Sequence, residues 1–127
     1  MRSGTPLGRA RGLGSAHAGT HHWLHQRITA GSNLFVMLWL LFSVARLHSY
    51  DHATVQTWLG SAWVAVPMIL LVTSVFYHFR LGLQVVIEDY QTDASRVILL
   101  FLLNFFVVAA AGTAIFSILK VAFGAAV

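Results

Sequence analysis

The sequence predicts an all-α integral membrane protein with three transmembrane helices. Composition is the first observation. Apolar residues fill 57% of the 127 positions and charged residues only 9%, against about 25% charged in a soluble domain. The mean hydropathy of +0.74 is the second, more than a chain this short can hide from water. The third is the presence of long apolar stretches at about 28–48, 57–88 and 96–120. Each meets the roughly 20 residues that a helix needs to cross a bilayer.

Residues 1–26 precede these stretches and are rich in Gly, Arg and Ala at the start. They read as a cytoplasmic N-terminal segment, with a mitochondrial presequence as the rival, being Arg-bearing and poor in acids. A secretory signal fits the charge but not the shape, because the apolar stretch that follows is too long. The membrane domain is 27–127. Its first span contains LFVMLWLLFSVA without a charge. The second is longer than a span requires and is interrupted by Pro67, His78 and Arg80. Its opening, DHATVQTWLG, reads either as an interfacial turn or short helix, or as part of a tilted span. Pro67 is a candidate kink. The third span is uncharged from Val97 to Leu119. Trp23, Trp39, Trp58, Trp63 and Tyr90 fall mostly near span ends, where amphipathic rings prefer to sit.

The basic residues set an orientation rather than a nucleic-acid surface, despite a pI near 10.4. Arg2, Arg9, Arg11, Arg27, Arg80 and Arg96 lie toward one side, and only Arg46 and Lys120 toward the other. Six against two predicts a cytoplasmic N-terminus and a C-terminus across the membrane. The chain has no cysteine, which excludes disulfides, zinc fingers and iron–sulfur clusters ligated by this chain.

The chemistry concentrates in Phe76–Tyr90, FYHFRLGLQVVIEDY. A histidine and an arginine in a membrane-grade helix are costly and need partners. At about 100° per residue, Asp89 returns to within roughly 20° of His78, about 16 Å further along the axis. One stripe thus offers a metal ligand at membrane depth and an acid at the water boundary. His78 has two readings: a hydrogen-bond partner between helices, or an axial haem ligand. Ser74 and Gly82 lie one turn either side of it. They leave room for a flat macrocycle, or they allow close helix packing. Arg80 is rotated about 200° from His78. It either snorkels to the interface or pairs with a carboxylate, from a haem propionate or a partner chain.

His17, His21, His22 and His25 look like a metal cluster, with His21 and His25 at helical i, i+4 spacing. No carboxylate or cysteine supports one, so contact with the membrane surface, a partner or a propionate is the favoured alternative. Arg27 and Thr29 open the first span, as a plain positive anchor or as a charge near Asp89 and Tyr90. Asp89 and Tyr90 either mark a helix end or serve a substrate carbonyl, since a tyrosine hydroxyl donates to such an oxygen and a nearby arginine stabilises developing negative charge.

His78, Gly82, Gln84 and Asp89-Tyr90 resemble the second helix of the hydrophobic membrane anchors of succinate dehydrogenase, respiratory complex II. His22-Trp23-Leu24-His25-Gln26-Arg27-Ile28-Thr29-Ala30 resembles the opening of that family's first helix, and Leu7-Gly8-Arg9 also fits. The compact chain and the short segment before His22 fit bacterial members best. The resemblance implies half of a helical bundle shared with a cytochrome b556 subunit, in the bacterial inner membrane, beside iron–sulfur and flavoprotein subunits that alone carry the clusters and FAD. It implies that His78 is an axial ligand of haem b. It also implies that Tyr90, Asp89 and Arg27 serve ubiquinone, and that His21 or His22, with Arg27, meets the propionates. Gln91-Thr92-Asp93 departs from the valine and basic residue that many relatives place after the tyrosine. Two rival classes remain: the b-type cytochrome anchor of a fumarate reductase or another quinone-linked dehydrogenase, and a small structural or proton-moving membrane protein.

Overall fold

The computed structural model describes residues 5–10 and 19–124. Arg2, Arg11 and His17 therefore lie outside the described residues. Five helices follow in order: α1 (Pro6–Ala10), α2 (Gly19–Ala45), α3 (His52–Gly60), α4 (Ala62–Tyr90) and α5 (Asp93–Ala122). Among the described residues there is no strand. Three of the helices, α2, α4 and α5, are long and apolar enough to cross a membrane. With 27, 29 and 30 residues, they reach about 40–45 Å at 1.5 Å per residue. That exceeds the roughly 30 Å hydrocarbon core, so their ends extend into the headgroup region.

The helices run past the expected limits at the start of α2, the end of α4 and both ends of α5, while α2 stops at Ala45 and α4 starts only at Ala62. Hydropathy marks only the apolar middle of a helix, whereas the backbone stays helical into the interface because its polar groups remain paired. The largest difference is in α2, which begins at Gly19 instead of near residue 28. HHWLHQR is thus its first turns, continuous with the span, and not a separate lead.

The long second stretch divides at Ser61, which is extended at φ −75°, ψ 128° and caps α4. Its carbonyl accepts from the amides of Val64 and Ala65 at 2.9 and 2.8 Å. DHATVQTWLG accordingly forms the separate short helix α3, tied back by Trp58 Nε1 donating to Ser43 Oγ at 3.0 Å. Pro67 does not divide α4, which continues through it.

α4 is central. α2 and α5 pack against it and share no close backbone approach with each other, and α3 touches α4 and α5. Among the described residues, all the buried side chains belong to α4 (Val64, Ala65, Leu71, Leu81) and α5 (Leu103, Val107, Ile118). α2 buries none. Large apolar side chains such as Phe35, Phe42, Phe105 and Phe116 face outward, each about two thirds or more exposed, as a lipid or partner surface requires. The α4–α5 turn is only Gln91-Thr92. Asp93 takes φ 52° there, a left-handed value that Asp tolerates better than most residues. Arg96 of α5 reaches Glu88 of α4 at 3.9 Å across this turn.

Candidate functional site

Antiparallel packing sets the first turns of α2 beside the last turns of α4. In the first half of α2 the residues turned inward are His22, Gln26, Thr29 and Asn33, all half-buried. Their spacing of four, three and four residues is one face of a helix. This polar stripe meets the face of α4 that carries His78 and Gly82.

His78 Nδ1 lies 2.9 Å from Thr29 Oγ1. Tyr77, one residue earlier, reaches across the same seam to His25, with its hydroxyl 2.8 Å from Nδ1 and the two rings 6.1 Å apart. Neighbouring α4 residues thus grip α2 at positions one turn apart. A Cβ built on Gly82 would stand 3.4 Å from Gln26 Nε2. At this glycine the open side is taken up by α2, so Gly82 serves close helix packing.

Toward the water boundary the seam opens into a cleft of about 640 Å³. α2 lines it with Gly19, His22, Trp23 and Gln26, and α4 with Gly82, Gln84, Val85 and Glu88. Gln84 Nε2 donates to Glu88 Oε1 at 2.9 Å on its wall. His22 Nε2 and Gln26 Oε1 are enclosed with no hydrogen-bond partner, as is Asn33 Oδ1 deeper in the stripe. Enclosed polar atoms are almost always paired, so these atoms mark where a further group belongs.

The predicted site residues divide. His78 and His22 meet the α2–α4 seam. His21 is exposed, which separates two histidines that the sequence left equivalent. Arg80 has a partner within the chain: its Nε donates to Asn104 Oδ1 on α5. The Asn104 amide in turn donates to Leu100 O at 2.7 Å. Arg80 and His78 therefore face different helices, as their angular separation requires. Arg27 is exposed with its guanidinium 5.3 Å over the Trp23 ring. Asp89 and Tyr90 are exposed at the end of α4, Tyr90 by 81%. These three share one end of the molecule without touching.

The three described histidines of this segment, His21, His22 and His25, do not converge. His22 turns to the cleft and His25 to Tyr77, and among the described residues no three metal-ligating side chains gather. Asn104, the Tyr77–His25 pair and the polar stripe were not expected from the sequence. The stripe had a readable signal: polar residues at 22, 26, 29 and 33 keep helical spacing inside an apolar helix.

Residues 1–111 match the succinate dehydrogenase/fumarate reductase transmembrane subunit family. The chain belongs to that family. A succinate dehydrogenase hydrophobic membrane anchor subunit of Rickettsia bellii is 40% identical over 82 residues, 65% of this chain and 66% of that protein. This match therefore spans just under two thirds of the relative's length. The protein of the same description from Paracoccus denitrificans is 29% identical over 128 residues, covering 100% of this chain and 98% of its own. A succinate dehydrogenase membrane anchor subunit of Reclinomonas americana is 32% identical over 91 residues, 68% of this chain and 76% of that protein. No solved structure matches the chain. Membership agrees with three apolar helices and with the resemblance carried by His78, Asp89-Tyr90 and the opening of α2.

Proposed function

We propose that this membrane anchor serves a succinate:ubiquinone oxidoreductase of a bacterial inner membrane, helping to hold haem b and completing the site where ubiquinone is reduced. The observation that carries this reading is His78. Its Nδ1 is engaged by Thr29 at 2.9 Å, and its Nε2 makes no hydrogen bond among the described residues. An imidazole held by one nitrogen and open at the other is how a protein presents a metal ligand.

The residues present fit a haem. His78 would ligate the iron, and a cytochrome b556 partner would supply the second ligand. His22, with its enclosed and unpaired Nε2, is the better of the two adjacent histidines for a propionate. Bound there, haem supplies a one-electron store beside the quinone site. Arg80 is already engaged by Asn104, which argues for a role in joining α4 to α5.

Reduction of ubiquinone takes two electrons and two protons. The exposed Tyr90 hydroxyl donates a hydrogen bond to a quinone carbonyl oxygen. Arg27 at the same end of the molecule favours the negative charge that builds there. Asp89, at the water boundary, relays protons. Electrons arrive from an iron–sulfur protein, which takes them from a flavoprotein that oxidises succinate. The names of the relatives favour succinate oxidation over the fumarate reductase alternative.

Purification of the complex with identification of its chains, followed by a reduced-minus-oxidised spectrum, tests the haem. His78→Leu should abolish or alter the b-type spectrum while the spans still insert. An unaltered spectrum and potential would reject ligation. Tyr90→Phe tests the quinone site. It should lower quinone reduction far more than succinate oxidation by an artificial acceptor that takes electrons upstream, and no loss in either assay would remove Tyr90 from the site.

A further inference from the structure

We infer that Thr29 is a positioning residue for His78: it accepts a hydrogen bond from Nδ1–H, fixing the tautomer that leaves the Nε2 lone pair free for iron. This rests on the haem reading and adds to it a role that lies on α2.

Valence decides which atom donates. A threonine hydroxyl has one hydrogen to give and two lone pairs to receive. Three acceptor or donor atoms lie within reach of Thr29 Oγ1: His25 O at 2.8 Å, Gln26 O at 3.2 Å and His78 Nδ1 at 2.9 Å. The single hydrogen can satisfy only one of them well. Hydroxyls inside helices send it back to the carbonyl about one turn earlier, and other hydroxyls of this chain do so. Thr57 donates to Ala53 O, Thr73 to Ile69 O, Thr113 to Ala109 O and Ser117 to Thr113 O, at 2.8–2.9 Å. Thr29 has the same bond at the same length, to His25 O. The 2.9 Å contact with His78 is then a bond only if Nδ1 carries the proton and Thr29 accepts it.

The opposite tautomer fails on the other side of the ring. It would put a hydrogen on Nε2, which makes no hydrogen bond among the described residues, the ring's one such contact being through Nδ1. An unpaired donor is expensive in hydrocarbon. With the proton on Nδ1, the only unpaired feature of the ring is a lone pair. The β-branch of Thr29 adds stiffness at χ1, so the acceptor stays where the imidazole needs it. The consequence is electronic as well as geometric. A hydrogen bond accepted from the ligand's remote N–H raises its basicity, which stabilises the ferric state and lowers the potential.

The test uses the intact complex in three variants. Thr29→Val keeps the branched shape and removes the acceptor, Thr29→Ala removes it without bulk, and Thr29→Ser keeps the hydroxyl. Midpoint potential is read by redox titration, and axial-ligand geometry by electron paramagnetic resonance of the ferric haem. Thr29→Val and Thr29→Ala should raise the potential, shift the ferric signal and speed haem loss on the order of tenfold. Thr29→Ser should restore wild-type values. Wild-type potential and signal in Thr29→Val or Thr29→Ala, with the spectrum abolished in His78→Leu, would overturn the positioning role and leave the haem reading standing. An unchanged spectrum in His78→Leu would overturn both.

Discussion

The two faces of α4 are built on opposite terms. Its seam with α5 joins the two helices that hold every buried apolar side chain among the described residues, with Arg80 clasped to Asn104 along its length and Arg96 paired with Glu88 beside the turn. Its seam with α2 involves a helix that buries nothing fully, yet it carries His78–Thr29, Tyr77–His25 and three enclosed polar atoms without partners. Lipid tails are as apolar as leucine, so burial alone does not drive helices together in a bilayer. The α5 side gains from close packing, while the α2 side holds polar groups that packing does not require. Costly polar groups at membrane depth mark function. On the proposed function, one face of α4 supports the fold and the other carries the chemistry.

The sharpest way to break that division is at the Arg80–Asn104 clasp. Asn104→Leu would strand the Arg80 guanidinium, a loss of about 1–3 kcal/mol or more for a charged donor. The assembled complex should melt at lower temperature with its haem spectrum unchanged. Adding Arg80→Leu should recover much of the loss, because removing both partners is milder than removing one. If Asn104→Leu instead altered the haem spectrum and spared stability, the assignment of the two faces would reverse.

A smaller effect is expected from Tyr77→Phe, which removes one interhelical bond of the α2 seam. Such bonds average about 0.6 kcal/mol in membranes. The stability change should be slight and confined to α2, measurable as faster hydrogen exchange there. A change as large as that of Asn104→Leu would show that the α2 seam is also the structural one.

Gly82→Ala should be close to neutral, since its Cβ would meet Gln26 at an ordinary 3.4 Å. Gly82→Leu should push α2 away and disturb His78. Equal behaviour of the two variants would show that close approach of α2 is not needed.

The mildest effect lies away from both seams, at the start of α3. The hydroxyls of Ser49 and Thr54 hold the Asp51 carboxyl down, to about 2. A carboxyl lowered on folding stabilises the fold above its ordinary range, and the contribution fades as pH falls toward the lowered value. Protection of the first α3 amides should therefore be constant from neutral pH to about 4 and should decline below that. Asp51→Asn should lack this acid-dependent component. An identical acid profile in the variant would exclude the carboxylate as its source.

Much of the fold was legible because a bilayer permits few solutions. Long apolar stretches must be helices there, since every backbone group has to be paired within the segment. The start of α2 was less legible for a related reason: hydropathy marks the apolar part of a helix, and the more polar HHWLHQR continues the same helix back to Gly19. The division at Ser61 was legible only as an alternative. An extended serine cap leaves no mark in an apolar pattern, and Pro67 drew attention to a place where the helix continues. At the site, His78 and Arg80 stood out by cost alone, and their angular separation foretold different neighbours. Their partners did not stand out. Thr29 and Asn104 are uncharged and common in helices, and become informative only opposite a histidine and an arginine.

By itself, then, the sequence determined that this chain spans a membrane three times, which stretches do so, and which residues demand partners. Those properties follow from composition and from periodicity along one dimension. The tertiary structure decided who the partners are. It brought position 29 to position 78 and position 104 to position 80, turned His22 inward and His21 outward, and gave α2 rather than α5 the polar seam. These outcomes depend on which face each helix turns to its neighbour. That choice is made by the packing of one helix on another, which no local pattern encodes.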